Sequence, residues 1–354
     1  MRRALVRRRL RKGEVVSATT ETKSNVGSRI QLSIGIAISI ASLVMVIRGI
    51  EWSAFWTAIQ GADYWWLVPS LAALFASVGF KVLKWQMLLA PAGKTSRTNI
   101  FHSICIGYLV SDVLPGRLGE VARVYSEARL DRLSPVAVLS SVVADRILDV
   151  VAVALLLAMA LPSANLPSWV SESGLAVGAG AVGLLGVSIL LAYPAGQRLF
   201  LQLLAATPKF PKKQVIEKWA EELCIGLQGL RGARAQLQIG LATLAVWLVS
   251  VLSFYFGQLA FHINAPVWAA VLALALTNLG MVVPSSPGYI GIFHYLVVLA
   301  LSAFGVPREV ALGYAIVTHL LGFLPIGLVG VFSLWRCGFT LMDWRSSDVS
   351  QPGS

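Results

Sequence analysis

Charged residues are scarce in this sequence. They make up 13% of its 354 residues, whereas roughly 25% is usual in soluble proteins. Between Arg234 and Arg308 there is no Asp, Glu, Lys or Arg at all. A soluble domain has no way to hide so much apolar surface, and a disordered chain would be polar instead. The composition therefore excludes an ordinary soluble enzyme and a disordered protein, and it predicts an all-α polytopic membrane protein.

Cysteines and recognisable catalytic motifs are scarce as well. The three cysteines are Cys105, Cys224 and Cys337, and no two of them have the spacing of a CxxC motif or a zinc site. The sequence contains no HExxH, no GxSxG and no ATP-binding motif. We therefore expect no cofactor and no metal ion, and any transport by this chain would use an ion gradient or run downhill.

The charge that is present is mostly basic, and the formal net charge is +12. Residues 1–29 hold nine Lys or Arg residues directly before an apolar run. Such a segment can bind nucleic acid, but its position favours a cytoplasmic segment on anionic lipid, so we expect no nucleic-acid partner. Residues 194–237 hold seven basic and three acidic residues in an amphipathic pattern. That pattern predicts a helix on the inner membrane surface or, alternatively, a small soluble helical pair.

The apolar runs predict about six full transmembrane helices in the cell membrane, since a helix needs roughly 20 apolar residues to cross a bilayer. Loops 51–63 and 162–172 carry no basic residue, so the positive-inside rule places them outside and both termini in the cytoplasm. Lys81 and Lys84 fall at the far end of the second run, where we expect their side chains to reach the interface. The predicted spans are residues 30–47, 64–83, 134–161, 174–193, 238–262 and 310–335, followed by a cytoplasmic tail at 336–354.

Two further apolar stretches, 99–133 and 266–304, are each interrupted by a Pro-Gly-x-(Leu/Ile)-Gly motif. We predict that each forms a broken, re-entrant helical hairpin. Three full spans lie between the hairpins, so one opens inside and the other outside, as in inverted-repeat transporters. A break frees backbone N–H groups that hydrocarbon does not tolerate, and helix N-termini at a break favour anions. The residues that define the two breaks are Pro115, Gly116, Gly119, Pro284, Pro287, Gly288 and Gly291.

The motifs at these breaks resemble those of the lysylphosphatidylglycerol synthase transmembrane family. Residues 114–123 are similar to its first signature, 145–149 to its second and 283–291 to its third, and the resemblance extends over residues 30–335. It implies a flippase-like transmembrane domain that moves a lipid between leaflets. No synthase domain follows the last span, so aminoacyl transfer to lipid is not implied. The chain departs from the family at His294, where a Glu is usual.

Three charged residues, Asp145, Arg146 and Asp149, lie near the middle of the predicted span 134–161. Such charges cost about 2.5–3.5 kcal/mol each on insertion scales. Arg146 and Asp149 are three residues apart and can form a pair. Two interpretations stand: a buried ion pair that fixes helix register, or an Arg that meets a lipid phosphate while carboxylates hold it in the empty site.

Further candidate residues follow the two breaks. Arg117, Glu120 and Arg123 recur at intervals of three after the first break. Their pattern indicates either positive-inside bias or recognition of phosphate by the arginine fork. His294 follows the second break, where it is either a packing residue or a group that titrates near neutral pH. The predicted transport site therefore comprises Arg117, Glu120, Arg123, Asp145, Arg146, Asp149 and His294.

Two functions remain open from the residues. A lipid translocator is favoured by two broken hairpins of opposite sense, with anionic or phosphate-bearing membrane lipids as its partners. An intramembrane lipid-modifying enzyme is the alternative, and its one hint is Ser285 and Ser286 beside the second break with His294 farther on. The sequence does not decide whether the chain forms a homo-oligomer.

Overall fold

The computed structural model describes residues 33, 35–114, 118–164, 168–206, 217, 220, 221, 223, 224, 226–281 and 286–340. Within these ranges the chain is helical and has no strand. The helices are α1 (Gly35–Ile47), α2 (Trp52–Gln60), α3 (Leu67–Leu89), α4 (Arg97–Val113), α5 (Leu118–Leu130), α6 (Pro135–Ala160), α7 (Ser168–Ala192), α8 (Pro194–Ala206), α9 (Ala233–Ala260), α10 (Val267–Gly280), α11 (Ile292–Ser302) and α12 (Arg308–Cys337).

The long apolar helices identify an integral membrane protein. Three stretches of the described chain are long and apolar enough to cross a bilayer, namely Tyr64–Ala92, α9 and α12. The number becomes five if each of two bent pairs is counted as one span. Helix α6 has 26 residues, which is also long enough, but it carries the three charged residues at 145, 146 and 149. The predicted total of six full spans and two re-entrant hairpins stays a prediction.

Both bent pairs turn at the end of a predicted span. Helices α1 and α2 meet at 91°, so the predicted loop 51–63 contains a short helix. Helices α7 and α8 meet at 102° at Pro194. Helix α8 has no buried residue and exposes Leu199 and Leu203, as an amphipathic helix on a membrane surface would. Residues 207–216 of this segment, the basic residues 1–29 and the tail from 341 onward lie outside the described residues.

Both predicted breaks are present. Helix α4 ends at Val113 and α5 begins at Leu118, while α10 ends at Gly280 and α11 begins at Ile292. Between α10 and α11 a short 3-10 turn, Pro287–Tyr289, is followed by Gly291. Gly288 and Gly291 have φ angles of +68° and +92°, which favour glycine because it has no Cβ. The predicted break residues Pro115, Gly116 and Pro284, together with Arg117, lie outside the described residues.

Several helix contacts occur in corresponding pairs around α3 and α9, which pack along each other. The hairpin α4–α5 corresponds in chain order to the hairpin α10–α11. Helix α6, after the first hairpin, packs on α10, and helix α12, after the second hairpin, packs on α4. The 3-10 turn of the second break also packs on α4, where a Cβ atom on Gly288 would lie 3.7 Å from the Asp112 carbonyl oxygen. The described parts of the two breaks are therefore neighbours.

Candidate functional site

Helix α5 can enter the site because glycines let it pack closely on α4. A Cβ atom on Gly119 would overlap both the Ser111 hydroxyl and the Gly107 carbonyl oxygen, so no larger residue fits there without a shift. On its other side α4 meets α12 at Gly330, where a Cβ atom would lie 2.8 Å from the Cys105 carbonyl oxygen. Both sides of α4 are thus in close contact, and the first turns of α5 are fixed against it.

The centre of the site is a buried ion cluster between α3 and α6. The Lys84 Nζ lies 2.7 Å from Asp145 Oδ1 and 2.6 Å from Asp149 Oδ1. The Lys84 and Asp145 side chains are completely buried. The Lys81 Nζ lies 3.3 Å from Asp149 Oδ2. Two lysines therefore hold the two carboxylates on one face of α6, where residues four apart in sequence are neighbours.

Arg123 brings α5 into the same cluster. Its Nη1 atom donates to Asp145 Oδ2 at 2.9 Å. Its guanidinium carbon lies 3.6 Å from the ring centroid of Trp85, in a cation–π arrangement. The Trp85 indole N–H in turn donates to the Ser141 hydroxyl at 3.0 Å. Arg123 is therefore held by a carboxylate and an aromatic ring, both of which are themselves fixed.

Arg146 and Glu120 form the open end of the network. The Arg146 Nη2 donates to Glu120 Oε1 in a very close contact, and its Nη1 lies 3.5 Å from Asp149 Oδ2. The side chains of Arg146 and Glu120 are 44% and 33% exposed, in contrast to the buried centre. On α6, Arg146 shares the exposed face with Leu139, Val143 and Val150, which are spaced by helical turns. A charged pair thus opens onto an otherwise apolar surface.

The complete network joins four cations to three carboxylates on three helices, and so it has a formal charge of +1. Removing one member of a buried pair leaves the other charge uncompensated, which costs about 3–5 kcal/mol. The positive excess and the exposed guanidinium suit an anion. The members are Lys81, Lys84, Glu120, Arg123, Asp145, Arg146 and Asp149.

The structure places His294 in a different cluster, at the second break. Its Nδ1 accepts from the Gly291 backbone N–H at 3.4 Å, and its ring centroid lies 4.9 Å from that of His319. The His319 ring stacks on Phe293 at 4.7 Å. None of these partners belongs to the charged network. The sequence-based grouping of His294 with the charged residues therefore does not appear among its contacts.

The lysines are the part of the network that the sequence reasoning missed. The expectation that Lys81 and Lys84 extend outward from a helix end is wrong, because α3 continues to Leu89 and both amino groups bind buried carboxylates of α6. Their spacing of three in an apolar helix, opposite two carboxylates in another apolar helix, was the available signal. The predicted Arg146–Asp149 contact is present at 3.5 Å, but Lys84 is closer to Asp149 and Glu120 is closer to Arg146.

The chain is similar to two curated proteins and to one family of membrane proteins. No solved structure matches the chain. The UPF0104 membrane protein of Methanothermobacter thermautotrophicus is 23% identical over 326 residues, which cover 87% of this chain and 96% of the relative. Glycosyltransferase AglD of Haloferax volcanii is 21% identical over 323 residues, 82% of this chain and 52% of AglD, so the chain spans about half of that relative. The sequence profile of the lysylphosphatidylglycerol synthase TM region matches residues 32–330. This match confirms the resemblance at the two breaks, and the chain belongs to the lysylphosphatidylglycerol synthase transmembrane family.

Proposed function

We propose that this protein moves an anionic, phosphate-bearing lipid between the two leaflets of the cell membrane. The observation that carries the proposal is the Arg146–Glu120 pair on the exposed, apolar face of α6. A charged side chain directed at hydrocarbon costs about 2.5–3.5 kcal/mol on insertion scales and marks a functional site by default. A structural ion pair has no need to be on this face, since the cluster behind it is already buried.

The head group would bind where Glu120 now binds. Arginine offers two parallel N–H donors to a phosphate, a geometry that also gives specificity. In the structure one of these donors is on Glu120 and the other makes only the 3.5 Å contact to Asp149. A phosphate diester carries the same single negative charge as the Glu120 carboxylate, so Arg146 keeps an anionic partner and the added charge offsets the positive excess of the network. Glu120 would therefore hold the arginine in the empty site and release it to the lipid.

The matching helix contacts support a repeat of the kind used in alternating access. The contacts of α4 with α3 and α5 have counterparts in those of α10 with α9 and α11, and the α4–α12 contact has a counterpart in the α6–α10 contact. Transporters with paired broken helices bind substrate between the repeats. In this proposal the repeats are inverted, and the termini and residues 194–237 face the cytoplasm. Labelling of single cysteines from outside tests that topology, with reaction expected at position 165 and not at position 214.

The same geometry does not favour the enzyme alternative. The Ser286 hydroxyl donates to the Ile290 carbonyl oxygen at 3.1 Å, while His294 Nδ1 accepts from Gly291. These two side chains thus use different partners and do not form a nucleophile–base pair. Ser285 lies outside the described residues. The word glycosyltransferase belongs to the name of AglD, of which this chain spans about half, and we propose no such activity for this chain.

Reconstitution in vesicles tests the proposal. Fluorescent phospholipids with different head groups are placed in one leaflet, and their flip rate is measured with and without protein. We expect Arg146→Gln to lower the rate by about 10–100-fold, because a hydrogen bond to a charged group contributes roughly 1.5–3 kcal/mol. Arg198→Gln is the matched control, since Arg198 is exposed on α8. Flip rates that do not depend on protein for any head group, or that are equal in Arg146→Gln and the control, would contradict the proposal.

A further inference from the structure

A second buried polar group lies one turn beyond Arg123 on α5. The Glu127 side chain is completely buried, and neither of its carboxylate oxygens has a hydrogen-bond partner among the described residues. The Ser103 hydroxyl on α4 is also completely buried and lacks a partner in the same part of the chain. Nε and Nη2 of Arg123 are likewise buried without an acceptor. Unsatisfied donors and acceptors are thus close together on adjoining turns, at a position where each such group is costly.

The nearby carboxylate of Asp131 has the hydrogen-bond donors that Glu127 lacks. These two carboxylates are four residues apart on the C-terminal side of α5, and like charges at that spacing repel each other. Asp131 accepts from the Ser96 backbone N–H at 2.7 Å and from the Asn99 amide at 2.5 Å. Both Asp131 oxygens thus accept hydrogen bonds from protein donors, whereas neither Glu127 oxygen does so among the described residues. Glu127 is therefore the member of the pair that is available to bind a proton.

The surroundings of Glu127 provide one cation. The charged groups that act on Glu127 are Arg123, on α5, and Asp131, directly after α5, while α4 contributes the uncharged Ser103 hydroxyl. From α6, Asp145 binds Arg123. Phe339, which follows α12, contacts Tyr125 and Arg129 of α5. Ionised Glu127 would therefore have to compete with Asp145 for Arg123.

We propose that Glu127 is a proton-binding site that is coupled through Arg123 to the head-group site, an inference that rests on the proposed lipid transport. In the protonated state, a proton from water occupies one carboxylate oxygen, and the neutral carboxyl group turns to donate it to the Ser103 hydroxyl, which has no other partner among the described residues. When that proton returns to water, the carboxylate attracts the unbonded edge of Arg123 and weakens its bond to Asp145. Binding and release of one proton thus change how the network holds its arginines.

The donor set favours a proton over a metal cation. Glu127 and Ser103 provide one carboxylate and one hydroxyl, whereas hard cations such as calcium take 6–8 oxygen ligands. Asp131 already uses both of its oxygens for hydrogen bonds. A proton needs a single oxygen and fits without further ligands.

Infrared spectroscopy of the protein in lipid vesicles tests the site independently of transport. We expect the carbonyl stretch of a protonated carboxyl group at neutral pH in the wild type, its loss in Glu127→Gln and its retention in Glu221→Gln, a control at an exposed position. Ser103→Ala should shift the frequency of the same band, which keeps the test decisive if Glu127→Gln does not fold. A wild-type spectrum without this band, or a response to sodium and not to pH, would overturn the proposal.

The coupling to Arg123 predicts that two substitutions shift the pH at which Glu127 loses its proton in opposite directions. In Arg123→Gln the competing cation is gone, so Glu127 should keep its proton to a higher pH than in the wild type. In Asp145→Asn the arginine is released toward Glu127, so the proton should be lost at a lower pH. Equal titration of the band in both variants and the wild type would rule out the coupling.

The transport assay gives the last comparison. A pH gradient across the vesicle should change the wild-type flip rate at least fivefold, and the Glu127→Gln rate should be insensitive to it. If the wild type moves no lipid while the infrared band behaves as expected, the proposed function fails and the proton site stands. If the wild type moves lipid but Glu127→Gln responds to the gradient as the wild type does, the proton coupling fails and the proposed function stands.

Discussion

The two halves of the molecule pack several helices in a similar order around very different interiors. After the first break, α5 and α6 meet α3 through seven ionised side chains. After the second break, α11 and α12 meet through rings, with His294, His319 and Phe293 in contact. One interior thus depends on long-range charge balance, and the other depends on close packing. Similar packing does not require similar chemistry, and our proposal places head-group recognition in the charged half.

This contrast has a consequence for how each half tolerates change. Charges in a low-dielectric interior act on several neighbours at once, so the loss of one disturbs the whole network. Packing and single hydrogen bonds act over contact distance, so their loss stays local. Substitutions in the charged half should therefore have larger and less additive effects than substitutions in the aromatic half.

The largest effect is expected at Lys84. Lys84→Met leaves Asp145 and Asp149 without their closest cation, and we expect a loss of about 3–5 kcal/mol in unfolding free energy. Thermal unfolding in detergent measures it, with Lys94→Met as a control because Lys94 is exposed. Adding Asp149→Asn should restore part of the loss, since it removes one uncompensated charge. A Lys84→Met variant that unfolds at the wild-type temperature would show that the network does not act as a unit.

The next effect is expected at the second break and separates steric overlap from backbone strain. In Gly291→Ala the new Cβ would overlap the Ser39 carbonyl oxygen of α1 at a φ of +92°. Gly305→Ala is a matched comparison, because Gly305 has a φ of +79° and open space around it. A left-handed conformation alone costs about 1–2 kcal/mol, so Gly305→Ala should lose that amount and Gly291→Ala clearly more. Equal unfolding temperatures for the two variants would mean that α1 moves to accommodate the new Cβ atom at position 291 without a loss of stability.

The smallest effect is expected at the histidine pair. His319→Phe keeps a ring beside Phe293 and changes only the edge-to-face contact with His294. We expect a loss of about 0.5–1.5 kcal/mol in unfolding free energy, the contribution of one aromatic pair, and a flip rate within twofold of the wild type. A loss as large as that of Lys84→Met would erase the distinction between the two halves and would point to an ionic role for this pair.

The sequence predicts the features of the fold that local chemistry controls. Proline and glycine in the sequence mark both breaks to within a few residues, because proline interrupts a helix and glycine, as at Gly288 and Gly291, adopts positive φ angles. Asp145 and Asp149 are predicted as candidate site residues because charged side chains in an apolar run are costly and therefore rare. The partners of these residues depend on helix packing, which periodicity does not reveal. Lys84 is 61 residues from Asp145, and Glu120 is 26 residues from Arg146, so neither contact could be read from spacing along one helix.

The close glycine contacts on both sides of α4 have a mechanical meaning. Gly119 leaves no gap between α5 and α4, and Gly330 leaves none between α4 and α12. Three helices packed this closely resist sliding past one another, so a conformational change should rotate them together as one rigid body. A small tilt of α12 in the second half would then move the arginines of the first half as well.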